Sequence, residues 1–358
     1  MVPPPSGYNL PVQPTMKAAR LHGPRDVRIE TVPVPQPQAG EILVRVRAVT
    51  ICPSDWRMYI DGHAGGVVPP GPIIQGHEFA GDVVKAHPSA NLPAVGTRVA
   101  VEPSWACGRC DMCLTGRGNI CRHVRFPSFP PVDGALAEFI TCPAEAACPL
   151  PDTMTYEEGA LTEPLGVALH AVRLAGIRAS DEVCILGAGV IGISVQLLCL
   201  RIGCGAITLI EPVAERRPLP TQLGASRVAA SAEEILIPSR ANGAGQRFEA
   251  DVVMECSGDN AALDQAVRLA RPGGKVVVVG IPRDERITFD MSIARRHELT
   301  VLFSRRSHNT LPEAVRLLSS REIDFRPLPL QHFSLDQTAQ ALELTGRPGA
   351  VLRAVVHP

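Results

Sequence analysis

Apolar residues change their spacing along this chain, and the changes mark out its parts. From Met16, the short runs Lys17–Leu21, Val27–Thr31 and Ile42–Val49 are broken by proline and glycine, the last alternating in character. Alternation sets one face of a strand against a core and predicts an antiparallel, β-rich, barrel-like region. From Val183 the pattern becomes one of continuous apolar runs, Val183–Leu186, Ala206–Ile210, Asp251–Met254 and Lys275–Gly280, the last with four successive valines. Runs of this kind suit strands covered on both faces, and their alternation with helical stretches predicts a parallel sheet. The amphipathic stretch Ala261–Ala270 and a turn at Arg271–Gly274 belong to this part. A helix is expected after Glu211, but Pro218 and Pro220 fall within it. Proline inside a helix costs about 3 kcal/mol, so that helix should start late or be kinked. Near the end, an amphipathic Pro312–Ser319, a loop or short strand Ile323–Leu330, a helix Leu335–Thr345 and a closing strand Val351–Val356 return to the first part. The chain therefore reads as α/β. A doubly wound parallel sheet over 167–303 is inserted into a discontinuous β-rich domain made of 1–166 and 304–358.

The inserted part opens with the most informative stretch, Asp181–Glu211. An apolar strand leads into the glycine turn Gly187-Ala-Gly189-Val190-Ile191-Gly192, then a helix to about Ile202, then the run Ala206–Ile210, which ends on Glu211. That order fits the Rossmann dinucleotide-binding fingerprint. Gly187 permits the tight turn, Gly189 lets a pyrophosphate approach the backbone, and Gly192 lets the helix pack closely on the strand. The helix N-terminus offers free N–H groups and a positive dipole end to phosphates. Glu211 would accept hydrogen bonds from a ribose 2′-hydroxyl and repel a 2′-phosphate.

Bulk properties narrow the partners. A length of 358 residues allows two cores, and 45% hydrophobic with 20% charged residues is a globular balance. A net charge of −1 without a basic block argues against nucleic acid. No apolar run reaches the roughly 18 residues that span a bilayer, so no membrane partner is expected. The first fifteen residues hold five prolines and read as a loose tail, not a signal or transit peptide. Of eleven cysteines, four are bunched, while Cys184, Cys199, Cys204 and Cys256 lie in apolar runs where a thiol is a small core residue. This usage points to a reducing compartment, and hence the cytoplasm, instead of a disulfide framework.

Two clusters carry metal chemistry. Cys52-Pro53-Ser54-Asp55 and Gly76-His77-Glu78 both lie at ends of strand-like runs in the first part. Cysteine, histidine and carboxylate are the donor set of a zinc site with an open position. Within 102–122, Cys107, Cys110, Cys113 and Cys121 are spaced to close a tetrahedral site, which leaves no room for substrate and is therefore structural. An iron–sulfur cluster is the competing reading of the same spacing. Glu163, before Pro164 in an apolar segment, is either a helix-terminal acid facing water or a buried carboxylate directed at the metal.

These motifs, in this order, resemble the zinc-dependent medium-chain alcohol dehydrogenase family across nearly the whole chain. The polyol (sorbitol, xylitol) branch is the nearest, through Glu163-Pro-Leu, Glu255-Cys256-Ser-Gly and Arg306 ahead of Asn309-Thr-x-Pro312. The resemblance implies a GroES-like catalytic domain around the Rossmann insert, with zinc in catalytic and structural sites. Cys52 and His77 would bind catalytic zinc, Glu78 and Glu163 would supply carboxylates as ligands or outer groups, and Ser54 would start a proton relay. Gly187, Gly189, Val190, Ile191 and Gly192 would cradle the pyrophosphate. Glu211 and Arg216 would hold the adenosine end, and Cys256, Val279, Ile281 and Arg306 would line the rest of the cofactor. The implied reaction is hydride transfer between a secondary alcohol, a polyol or sugar alcohol, and NAD, with NADP less suited and Arg216 and Arg217 counting in its favour. A threonine or other amino-alcohol dehydrogenase is the alternative within the family, and a homodimer or homotetramer the implied assembly. Pro53 stands where glycine is usual, and Arg57 and Met58 where the polyol branch often has His and Tyr, which leaves the outer relay and the substrate wall open.

Overall fold

The computed structural model describes residues 12–90, 93–236 and 248–358. Most of the proline-rich N-terminal stretch, residues 1–11, lies outside them. The chain divides into two compact units, one of 1–163, 307–347 and 353–358, the other of 164–306 and 348–352.

In the first unit, the strand Thr15–Gly23 pairs antiparallel with Asp26–Pro33 and with the short Ile73–Ile74. A larger sheet runs in the order Leu330–Ser334, Arg353–His357, Glu41–Thr50, Glu78–Ala86, Arg98–Val101 and Ala147–Pro149, with Phe139–Pro143 also on Glu41–Thr50. The expected alternation survives only at 44–48; both ends of Glu41–Thr50 are buried throughout, and its residues Ile42, Leu43, Val44, Val46 and Val49 share a core with Phe79, Leu136 and Val356. One pair departs from the antiparallel expectation: Leu330–Ser334 lies parallel to Arg353–His357, the chain returning through the helix Thr338–Thr345. The closing strand also starts later than the apolar run Val351–Val356 suggested, because 348–352 belongs to the other unit.

The second unit carries a parallel sheet. Its strands lie in the order Arg227–Ala229, Ala206–Ile210, Glu182–Leu186, Ala250–Glu255, Ala270–Val278 and Thr300–Phe303. Counted along the chain this is 3-2-1-4-5-6, the doubly wound order. Its strand order reverses between Glu182–Leu186 and Ala250–Glu255, and the glycine turn follows the first of these. Val276 and Val277 are fully buried, as a strand covered on both faces requires. The turn expected at Arg271–Gly274 is instead absorbed into Ala270–Val278 as an irregularity in the pairing. The prolines after Glu211 act as expected: a single 3-10 turn, Ala214–Arg216, precedes a short helix Pro218–Gln222 that starts on proline. The alternating segment Ile287–Phe289 forms no strand and packs on this core. The sheet edges are Arg227–Ala229 and Thr300–Phe303.

Candidate active site

The register of the large sheet assembles the first cluster. Thr50 lies opposite Glu78 across Glu41–Thr50 and Glu78–Ala86, so the residues just beyond those strand ends, Cys52 and His77, meet. Cys52 is the N-cap of the helix Pro53–Asp61. Pro53, unusual for the family, is well placed, since the first helical residue has no intrahelical partner for its N–H and proline presets its φ. Donor atoms of Cys52, His77 and Glu78 all lie within 4.8 Å of one another.

Asp55, on the first turn of that helix and 2% exposed, organises the cluster. Its carboxylate accepts from the Cys52 N–H at 3.1 Å and the Gly76 N–H at 3.3 Å, and lies 3.4 Å from His77 Nδ1. Ser128 Oγ is also 3.4 Å from Nδ1, and the Phe126 ring packs on the imidazole at 5.0 Å. With Nδ1 donating toward the carboxylate, Nε2 is left to ligate, the arrangement usual for a metal-binding histidine. Burial opposes charge on His77, but Asp55 and Cys52 outweigh it and hold its pKa well above the ordinary value.

Glu78 is engaged on both oxygens. Thr50 donates to one, and Arg353, buried and reaching from the C-terminal strand, pairs with the other at 3.2 Å. Glu163 is buried, which removes the reading of a solvent-facing acid, but it does not join the set of donors within 4.8 Å of one another. Burial, then the nearby Glu78 charge, push its pKa up to about 8. Glu102, also pushed up to about 7 by burial, accepts from the Ser307 hydroxyl at 2.9 Å. Ser54 is half-buried on the first turn of the Pro53–Asp61 helix. Met58 is a core residue at 1% exposure, while Arg57 is half-buried. Sequence reasoning missed Asp55, Thr50, Arg353 and Glu102. Only Asp55 left a signal, as the acid three residues after the N-cap.

The sulfurs of Cys107, Cys110, Cys113 and Cys121 also lie within 4.8 Å of one another. The Cys110–Cys113 and Cys110–Cys121 separations are 3.5 and 3.8 Å, and every cysteine is a free thiol. A tetrahedron with metal–sulfur bonds of about 2.3 Å has edges of about 3.8 Å, so these sulfurs fit one ion. Backbone N–H groups of Cys107 and His123 point at Cys121 Sγ at 3.3 Å, and hydrogen bonds from the backbone of Cys113 and Arg122 draw the Cys110 pKa down to about 6. Such donors favour thiolates.

In the second unit the glycines separate by cause. Gly187 has φ +97°, and a Cβ on Gly192 would lie 1.9 Å from the Gly187 carbonyl oxygen. Gly189 has ordinary extended backbone, φ −73°, and a Cβ there would meet nothing within 4 Å. Neither packing nor backbone strain explains that glycine, and close approach of a ligand does, so the turn fits a pyrophosphate. Val190 and Ile191 open the helix Val190–Ile202 behind it. Glu211 is buried, its carboxylate accepting from the N–H of Ala188 at 2.7 Å and of Val213 at 2.8 Å, which ties the acid to the turn. Cys256 follows the strand Ala250–Glu255, held by its N–H to the Leu186 carbonyl at 2.9 Å. Val279 bonds the Glu255 carbonyl at 2.8 Å, Ile281 is 51% exposed, and Arg306 takes a left-handed φ of +54°. Arg216 donates from Nε to the Gly349 carbonyl at 2.7 Å. Gly192→Val should therefore lose at least about tenfold in dinucleotide affinity, or about 1.4 kcal/mol, with metal content unchanged. Titration with NADH read by fluorescence checks this, and an unchanged Kd contradicts it.

Comparison with known proteins agrees with this geometry. Residues 38–152 match the model of the alcohol dehydrogenase GroES-like domain, and residues 190–320 that of the zinc-binding dehydrogenase domain. The chain is 35% identical to a sorbitol dehydrogenase of Bacillus subtilis over 97% of its length and 98% of the relative's. It is 33% identical to the human sorbitol dehydrogenase over 90% of each chain. A solved Sinorhizobium meliloti protein, assigned as a zinc-binding dehydrogenase and bound to NADP, superposes with a TM-score of 0.86 at 32% identity, over 97% of this chain and 100% of that one. Among the described residues, no helix is long and apolar enough to cross a membrane.

Proposed function

The chain belongs to the zinc-binding dehydrogenase family with a GroES-like domain, and from that premise we propose that it oxidises a secondary alcohol of a polyol or sugar alcohol, with NAD as hydride acceptor. The observation that carries this is the pairing, on one chain, of the Cys52–His77–Glu78 donor set with a glycine turn backed by Glu211. Cys52 and His77 would hold catalytic zinc, with Glu78 beside them, and Cys107, Cys110, Cys113 and Cys121 would hold structural zinc. When bound, zinc supplies the Lewis acidity that lowers the alcohol's pKa, and NAD supplies the acceptor.

Everything else is the work of this chain's own side chains. Asp55 orients His77, and Arg353 keeps Glu78 aimed. Phe126, in edge contact with Phe129 at 5.8 Å, shields the imidazole from water. Ser54 accepts the proton leaving the substrate hydroxyl and passes it to solvent. Glu163, neutral below about pH 8 before metal binds, can donate as well as accept a hydrogen bond at the site. Gly187, Gly189 and Gly192 admit the pyrophosphate. Glu211 and Arg216 receive the adenosine end, and Cys256, Val279, Ile281 and Arg306 flank the remainder of the cofactor.

The buried negative charge of Glu211 favours NAD, whereas Arg216 and Arg217 offer partners to a 2′-phosphate, the group on the cofactor of the Sinorhizobium protein. A panel of sorbitol, xylitol, simple secondary alcohols and threonine, each with NAD and NADP, decides both questions through the reduced-nicotinamide absorbance. Polyols with NAD should exceed the same polyols with NADP by at least about tenfold in kcat/KM. A clear preference for threonine would move the enzyme to the amino-alcohol branch. Assembly as a homodimer or homotetramer is supported by Phe303, 70% exposed on the edge strand Thr300–Phe303. Cysteines assigned to metal sites and to core positions, and not to disulfides, support residence in the reducing cytoplasm.

A further inference from the structure

A third cluster of metal-ligand side chains lies in the first unit, made of residues to which the dehydrogenase chemistry gives no role. Glu157 stands on the short helix Tyr156–Ala160, His332 on the edge strand Leu330–Ser334 and His357 on the neighbouring Arg353–His357. One donor atom from each lies within 4.8 Å of the other two. His332 Nδ1 is 3.0 Å from His357 Nε2, and His357 Nε2 is 3.8 Å from Glu157 Oε1. Bonds of about 2.1 Å from a tetrahedral ion to nitrogen and oxygen set donors about 3.4 Å apart, so the observed spacings bracket the requirement.

The orientation of His357 is already that of a ligand. Its Nδ1 is 3.0 Å from the Arg47 carbonyl oxygen, which can only accept, so Nδ1 carries the proton and Nε2 presents a lone pair toward His332 and Glu157. Burial works against charge on Glu157. Hydrogen bonds from its own backbone and from Thr155 oppose that effect and hold the carboxylate in place. All three side chains reach solvent: His332 is exposed and the other two half-buried. The Arg47 guanidinium, a nearby positive charge that would repel a cation, is engaged by Asp82 at 2.7 Å.

We propose that Glu157, His332 and His357 form an accessory site for a first-row divalent transition ion of the zinc, nickel or copper class, its remaining positions filled by water. Two imidazoles and one carboxylate suit that class over calcium or magnesium, which prefer all-oxygen sets. Occupancy would tie the edge strand Leu330–Ser334 to its parallel neighbour and to the helix Tyr156–Ala160.

The test uses the full chain with its cysteine-containing sites already filled with zinc, titrated with Ni²⁺ by calorimetry. The wild type should bind one further equivalent. His332→Gln should weaken that binding at least about tenfold and Glu157→Gln several-fold, and both should keep the wild-type dehydrogenase rate, which shows that they fold. No further equivalent in the wild type, or an isotherm unchanged in both variants, overturns the proposal and leaves the two imidazoles as a pair sharing a proton.

Discussion

Cys52→Ala should abolish alcohol oxidation while leaving NADH binding at the wild-type affinity. Even the outer partners of metal ligands cost about 10- to 100-fold when removed, so loss of a ligand should exceed about 100-fold in kcat/KM. The rest of the donor set cannot compensate, because only His77 and Glu78 remain and Glu163 stands outside the cluster. Cofactor binding should survive because the glycine turn and Glu211 are built entirely within the other unit. Steady-state rates and NADH fluorescence titration on one preparation separate the two effects, and wild-type turnover by this variant would remove the metal from the mechanism.

Arg353→Leu should be the most destabilising single change at the site, although its side chain is remote in sequence from every motif. Arg353 and Glu78 are each almost fully buried and pair at 3.2 Å. Removing one member of a buried pair leaves an uncompensated charge, which costs about 3–5 kcal/mol. Urea unfolding should show that loss, and the double variant Arg353→Leu with Glu78→Gln should recover part of it, because no charge is then stranded. A loss below about 1 kcal/mol in the single variant would mean that the carboxylate finds water or another partner.

What could be read from the chain alone follows from how far its causes reach. The glycine turn, the acid after the next strand and the four-cysteine lobe are local patterns, whose spacing already encodes the chemistry. Cys52 and His77 were visible as metal donors because each sits at a strand end. Their meeting depends on the register that sets Thr50 against Glu78, which no local pattern states. Arg353 is 275 residues from Glu78 in sequence, so their pairing exists only once the C-terminal strand has docked on Glu41–Thr50. For the same reason Leu330–Ser334 was not legible as a parallel neighbour of Arg353–His357. The role of Asp55 is not legible locally, since a short-range capping acid and a histidine-orienting acid look alike until the fold brings His77 to it.

The central claim, that hydride transfer here depends on zinc held by the Cys52–His77–Glu78 set, is tested most directly by stripping and restoring the metal. The enzyme is treated with a strong chelator, its zinc content measured, and NAD reduction with sorbitol or xylitol followed before and after Zn²⁺ is returned. Turnover should vanish with the metal and come back with it, while NADH binding persists throughout. Undiminished turnover by protein shown to be free of zinc and of every other divalent metal would contradict the account.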